Sequence, residues 1–427
     1  MSEWSDKTVM VVSNPLFVSL AERLARDFKR VLLFVPFSGS FPNMNIGRVG
    51  YGLPGVELVD GVFGKHFDSV DLFVFPDLYN GALQVQLEQM GKRVWGARNG
   101  EEIEIYRELC KELMEEEGLP VQPWRVLKGM KALRAHLAKH QDQHVKIDRW
   151  RGVTESFFSP SLDIVAPKLD EIAHSLGAFQ EVIEFIVEDD LPDRVEAGLD
   201  CYCIDGQYPT ETLAGIEVKD LGYVGQMVKW SDIPEPLRRW NETLAPTFEK
   251  YGYRGFLSNE IRIGKDKVPY MIDATCRAPC PPSELWQELY TNLAEILWKG
   301  ADGVCVDPVA AGKWGVEVIL KSAWAEKNWQ PVIYPEHHAR NIKLFNSVMI
   351  DGTRYVVPQD DDMTEIGAVV GWGDTLQSAM DMAKESGEAI QGYGIKFNMG
   401  PIDTANEQLA ELKTLGVSPF DMDKANV

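Results

Sequence analysis

The sequence predicts a multidomain chain of mixed class, α/β at its N-terminus and α+β beyond. Three observations carry this prediction. Short apolar strands alternate with amphipathic helices through the first 125 residues. Two strand-like runs, "YRGFLSNEIRI" and "YMIDAT", flank a turn-like "GKDK" and carry carboxylates inside otherwise apolar sequence. At 427 residues the chain exceeds one ordinary hydrophobic core, so two to four domains are expected.

The first unit, residues 1–125, reads in order as "KTVMVVS", helical "LFVSLAERLARDF", "RVLLFVPF", "VELVDG", "DLFVFPD", helical "GALQVQLEQMG" and "RVWGA". This is the pattern of a parallel, Rossmann-like sheet. The glycines of "NIGRVGYGLPG" neither follow the first strand nor open a helix, so they read as a loop rather than a dinucleotide fingerprint. A helix is expected over "NGEEIEIYRELCKELMEEEG", with Asn99 as N-cap and Gly118 as its stop. Arg107 lies on its apolar stripe between Ile103 and Cys110, and Lys111 lies at the edge. An arginine on a packed face calls for a partner, either an internal ion pair or a bound anion.

Residues 126–185 read as a small α+β unit with "HVKIDRWRGVTESF", a helix near 168–177 and the start of "EVIEFIV". Residues 186–302 carry "EAGLDCYCIDGQY", the two strands of the hairpin and a helix over 284–299. Residues 303–427 hold "VEVILK", "IKLFNSVMI", "TRYVVPQ", "IGAVVGWG" and the helix "TLQSAMDMAKESGEAIQ". The end, from about 403, is polar and expected to be peripheral.

Composition narrows the function. A net charge of −22 opposes a nucleic-acid backbone as the main partner, while a local basic site could still hold a small phosphate ligand. The six cysteines form no CxxC pair, and no secretory leader or long apolar span is evident. A cytoplasmic protein with reduced thiols is expected. The seven histidines form no ligand-like cluster.

The hairpin holds the most informative chemistry. A loop over 264–269 would pair Ile263 with Tyr270 and set Glu260 opposite Asp273. Opposed like charges destabilise a hairpin unless a positive group lies between them, and Mg²⁺ with oxygen ligands is the natural candidate. The alternative leaves one carboxylate facing solvent.

The stretch "YGYRGFLSNEIRIGKDKVPYMIDATCR" resembles the metal hairpin of the ATP-grasp superfamily, within it the phosphoribosylamine–glycine ligases. Glu260 falls seven residues after Tyr253, as the first metal acid does in the related biotin carboxylases. Asp273, Thr275 and Arg277 stand where the family has Glu, Asn and Arg. "EIYRELCKELMEEEGLPVQPW", "VKIDRWRGVTESF", "EVIEFIVEDD", "VEAGLDCYCIDG" and the C-terminal "GDTLQSAM" resemble further family segments in the right order.

The resemblance implies an ATP-grasp fold with an N-terminal Rossmann-like domain and a C-terminal α+β domain, and ATP and Mg²⁺ as cofactors. Glu260, Asp273 and Thr275 would hold the metal. Arg107, Lys111, Lys146 and Arg151 would contact phosphates, with Arg149 beside them. Glu184 and Ile186 would meet adenine and Glu196 the ribose. Arg277 would be catalytic. A solvated edge lysine is the other reading of Lys146.

The sequence also departs from the family. The phosphate loop "RWRGVTES" has a single glycine, "SNPLFVSL" replaces "GGREHAL", and the "GGMG" stretch is absent, with Lys219 and Asp220 in that region. The implied activity is a carboxylate–amine ligase acting on a small-molecule acid and amine through an acyl-phosphate. Authentic glycinamide ribonucleotide synthesis, and nucleotide binding without turnover, are the alternatives.

Overall fold

The computed structural model describes residues 2–36, 48–148, 156–218, 221–358 and 364–420. Near the N-terminus, five parallel strands pair in the order Val56–Leu58, Arg30–Phe34, Thr8–Val12, Leu72–Val74, Arg93–Trp95. Val9 and Val11 enter one core and Met10 and Val12 another. Burial on both faces is why these strands read as unbroken apolar runs.

A second, four-stranded antiparallel sheet has the order Trp124–Lys128, Glu184–Asp189, Gln143–Ile147, Ser156–Ser159. Helices Met130–Leu137 and Leu162–Leu176 cover one face, packing Leu133, Leu169 and Ile172 on Val145, Phe185 and Val187. Alternation then turns Lys146, Ile186 and Glu188 to the other face.

The largest sheet has eight strands: Tyr270–Thr275, Arg254–Ile263, Val195–Ile204, Glu211–Val218, Gly222–Lys229, Trp314–Lys321, Glu365–Gly373 and Ile342–Leu344. Strands from either side of residue 303 thus share one sheet, through the antiparallel pairing of Gly222–Lys229 with Trp314–Lys321. A three-stranded sheet (Gln330–Val332, Thr353–Val356, Ser347–Ile350) completes the C-terminal region.

Four expectations are corrected. The helix expected over 99–118 is broken at Tyr106 (φ −101°, ψ 88°) into Glu102–Ile105 and Arg107–Glu116, preceded by a 3-10 turn that contains Asn99. The helix expected over 284–299 is two, Ser283–Leu289 and Leu293–Ala301, because Tyr290 turns extended and bridges to Ala310.

The hairpin pairs Glu260 with Asp273, but a bulge then shifts the register, so Tyr270 meets Arg262 rather than Ile263. The polar end is not peripheral. Helix Gly400–Leu415 buries Ile402, Ala405, Leu409 and Leu412 completely, and Phe420 stacks on Trp314. Three- and four-residue spacing gathers these apolar side chains on one face despite the polar composition.

Candidate active site

A small, partly open cavity of about 20 Å³ lies where helix Arg107–Glu116, the open face of the four-stranded sheet and strand Tyr270–Thr275 meet. Arg107, Lys111 and Lys146 enter it from two elements, and Glu188 and Asp273 oppose them. Lys146 Nζ donates to Asp273 Oδ1 at 2.8 Å and to the Ile272 carbonyl at 3.2 Å, with Glu188 Oε2 at 3.4 Å. Lys111 pairs with the other Glu188 oxygen. Arg107 donates to the Ile147 carbonyl at 2.7 Å.

These groups set one another's charge. Burial alone would lower the Lys146 pKa, but Asp273 and Glu188 outweigh it and hold the ammonium above the ordinary lysine range. Burial would raise both carboxylates, yet Lys146 and Arg107 keep Asp273 well below the usual range, and Lys146 and Lys111 lower Glu188. Glu260 goes the other way. Burial, then the carboxylates of Glu217, Glu196 and Asp273, push it well above the usual range. Burial also lifts the Cys110 thiol to about 11, so it stays protonated.

Pleating places Asp273 and Thr275 on the face shared with Glu260 and Glu196, because Glu260 pairs with Asp273, Ser258 with Thr275, and Arg262 with Glu196. Glu196 is bound by Arg262 Nε at 3.1 Å. Ile186 lines the cavity, whereas Glu184 stands at the strand start, where its carbonyl accepts from Asp148 N–H at 2.9 Å.

Arg277 does not line the cavity, but its partner Glu104 does. Arg277 Nε donates to Glu104 Oε1 at 3.0 Å and lies 3.9 Å from Asp77 Oδ1. Glu104 Oε2 also accepts the Cys276 N–H at 2.6 Å, and Asp77 accepts from Asn14. Asn14 and Asp77 follow strands Thr8–Val12 and Leu72–Val74, so this second polar cluster sits outside the carboxyl ends of the parallel strands. That is where open α/β sheets bind ligands. Arg149, Arg151, Lys219 and Asp220 lie outside the described residues.

No protein-family model and no curated protein matches the chain. Solved structures do. Phosphoribosylamine–glycine ligase from Thermotoga maritima superposes with a TM-score of 0.68 at 16% identity, covering 91% of this chain and 98% of that one. The biotin carboxylase domain of Hydrogenobacter thermophilus 2-oxoglutarate carboxylase, in complex with MgADP, gives 0.65 at 12% identity over 95% and 98%. N5-carboxyaminoimidazole ribonucleotide synthetase from Thermus thermophilus gives 0.58 at 13% identity over 89% and 98%.

The chain has the ATP-grasp fold.

In this fold the hairpin acids suit a hard cation. Glu260 and Asp273 supply facing carboxylate oxygens, Thr275 adds a hydroxyl on the same face, and Asp273 keeps 41% of its side chain exposed. Mg²⁺ commonly takes only one or two protein carboxylates and completes its shell with water and phosphate. Among the described residues, no group of three or more His, Cys, Asp or Glu side chains is arranged to hold a metal.

Sequence reasoning missed Glu188, Glu104, Asp77 and Asn14. Glu188 was detectable, since it alternates with Glu184 and Ile186 on strand Glu184–Asp189. Glu104 is a buried acid in a short helical turn and carries no such signal. Among the described residues, no helix is long and apolar enough to cross a membrane.

Proposed function

We propose that the chain is an ATP- and Mg²⁺-dependent carboxylate–amine ligase. The observation that carries this reading is the convergence of Arg107, Lys111 and Lys146 on Asp273, which itself faces Glu260 across the hairpin. Cations beside a pair of oxygen donors suit the triphosphate of a nucleotide, where catalysis consists mainly of positioning and charge neutralisation. Glu260, Asp273 and Thr275 would hold Mg²⁺, which when bound neutralises phosphate charge.

The cavity is far too small for a nucleotide. In this reading the four-stranded sheet acts as the lid, exchanging the Lys146–Asp273 and Lys111–Glu188 pairs for contacts with phosphates. Ile186 and Glu184, on the strand bordering the cavity, would meet adenine, and Glu196 the ribose. Arg151, with Arg149 beside it in the sequence, is the further candidate for phosphate contact.

In the reaction, an oxygen of the substrate carboxylate bonds to the γ-phosphorus and ADP leaves. The amine nitrogen then bonds to the acyl carbon, phosphate leaves, and the amine loses a proton. Arg277 stabilises the acyl-phosphate from the cluster with Asp77 and Glu104, whose carboxylates would receive the amine. The test is steady ADP release with candidate acids and amines. Nucleotide binding without ADP release under any pair would reduce the protein to a binder. The overall likeness to the Thermotoga ligase favours glycinamide ribonucleotide synthesis as a second reading, for which phosphoribosylamine and glycine are the specific substrates to assay.

A further inference from the structure

A second cleft, of about 390 Å³, opens between helix Val18–Leu24 with the turn that follows it and strands Ile342–Leu344 and Thr353–Val356. None of its lining residues belongs to the candidate nucleotide site. Its walls carry the bases Arg23, Arg26, Arg340, Lys343 and Arg354 and the acids Glu22 and Glu336. Behind the lining side chains lies one fully buried carboxylate, Glu288, which accepts from three cations: Arg26 through both Nη groups, Arg340 Nε at 2.9 Å and Lys343 Nζ at 2.6 Å.

The other pairings are one to one. Arg354 forks onto Glu22 at 2.6 and 2.9 Å, and Arg23 pairs with Asp27 and donates to the Gln287 carbonyl. Glu336 also lines the cleft and lies on the Arg354 side, so the surplus is local: three cations meet the single carboxylate of Glu288, in a chain whose net charge is −22. Two of the three cations can be reached. The Arg340 side chain is 60% exposed and that of Arg26 39%, whereas Lys343 is buried behind them. Gly55, at φ +71°, lets its loop close the wall; a Cβ there would stand 2.8 Å from that of Ala25.

We propose that this cleft binds a small phosphomonoester, its phosphate seated on Arg26 and Arg340 with Lys343 behind. Arg26 gives both Nη groups and Arg340 its Nε and Nη2 to Glu288, so the carboxylate fixes the two guanidinium planes and leaves their remaining N–H donors for an entering dianion. The volume exceeds that of a bare phosphate and falls in the range of small-molecule sites. The proposal does not depend on the ligase reading.

Calorimetric titration of the full chain with inorganic phosphate and with ribose 5-phosphate tests it. Both are expected to bind the wild type, and at least tenfold more weakly the double variant Arg26→Ala, Arg340→Ala. The variant should keep a cooperative thermal unfolding transition without ligand, which shows that it folds, and any Mg-ATP-induced melting shift of the wild type should persist in it. Ribose 5-phosphate binding at least as tightly as phosphate supports an esterified occupant, whereas its exclusion while phosphate binds overturns that part and leaves a free-phosphate site. In the unsubstituted protein, phosphate should protect Arg26 and Arg340 from phenylglyoxal. The proposal is overturned if wild type binds neither probe, or if Lys146→Ala rather than the double variant abolishes binding. It is equally overturned if the two arginines prove only to hold a second copy of the chain, seen as a dimer that dissociates in the double variant without any phosphate binding.

Discussion

Lys146 and Asp273, 127 residues apart in the chain, form an ion pair with Nζ and Oδ1 2.8 Å apart. The contact fastens the four-stranded sheet to the carboxylate hairpin and borders the cavity between them. A lysine read from sequence as either a phosphate ligand or a solvated edge residue is in fact buried against two carboxylates.

Lys146→Ala should therefore affect both stability and binding. Removing one partner of a buried pair is strongly destabilising when the other charge is left stranded. Here Glu188 retains Lys111 and Asp273 is partly solvated, so a loss of about 1–2 kcal/mol is expected. Affinity for Mg-ATP should fall about 10- to 100-fold, the worth of one charge-assisted contact. Melting curves with and without Mg-ATP measure both, and an unchanged apo melting temperature would contradict the buried pair.

The two hairpin acids should respond with opposite signs. Folding raises the Glu260 pKa, so the folded state binds its proton more tightly and stability is lost as pH rises from the ordinary glutamate value. Glu260→Gln removes that penalty and should stabilise the apo protein at neutral pH by about 0.2–1 kcal/mol, the scale of a cross-strand like-charge pair. Asp273→Asn loses the Lys146 pair and should destabilise it by less than about 1 kcal/mol, given the exposure of Asp273. Both substitutions should remove most of the Mg²⁺-dependent stabilisation by ATP. If that stabilisation survives in both variants, the metal assignment fails.

Acid should loosen the contact between the four-stranded sheet and helix Arg107–Glu116. Lys146 and Lys111 lower Glu188, so its contribution to stability is complete above the ordinary glutamate value of 4.5 and is lost as pH falls below it. Urea unfolding between pH 6 and pH 3 should show wild-type stability falling more steeply than that of Glu188→Gln. Parallel curves would mean that Glu188 is not held ionised by the two lysines.

The C-terminal helix should be integral to the fold. Leu409→Ala empties a fully buried site and should reduce stability by about 2–5 kcal/mol in denaturant unfolding. A loss below 0.5 kcal/mol, typical of surface positions, would mean that the helix does not dock.

Local patterns decided much of this protein from the sequence. Period-two alternation and the turn at "GKDK" specify a hairpin that sets Glu260 against Asp273, because both signals act over a few residues. Alternating strands and helices specify the parallel sheet in the same way. Arg107, Lys111 and Lys146 were visible as charges among apolar neighbours, but not their partners. Those depend on contacts between Lys111 and Glu188, Lys146 and Asp273, and Arg277 and Glu104, with up to 173 residues between the members of a pair. Packing of separate sheets and helices brings such groups together, and no local period encodes which buried charge meets which. The docking of helix Gly400–Leu415 was tertiary as well. Its apolar stripe is narrow, and only the face offered by strands Glu211–Val218 and Gly222–Lys229 turns it from a polar tail into core.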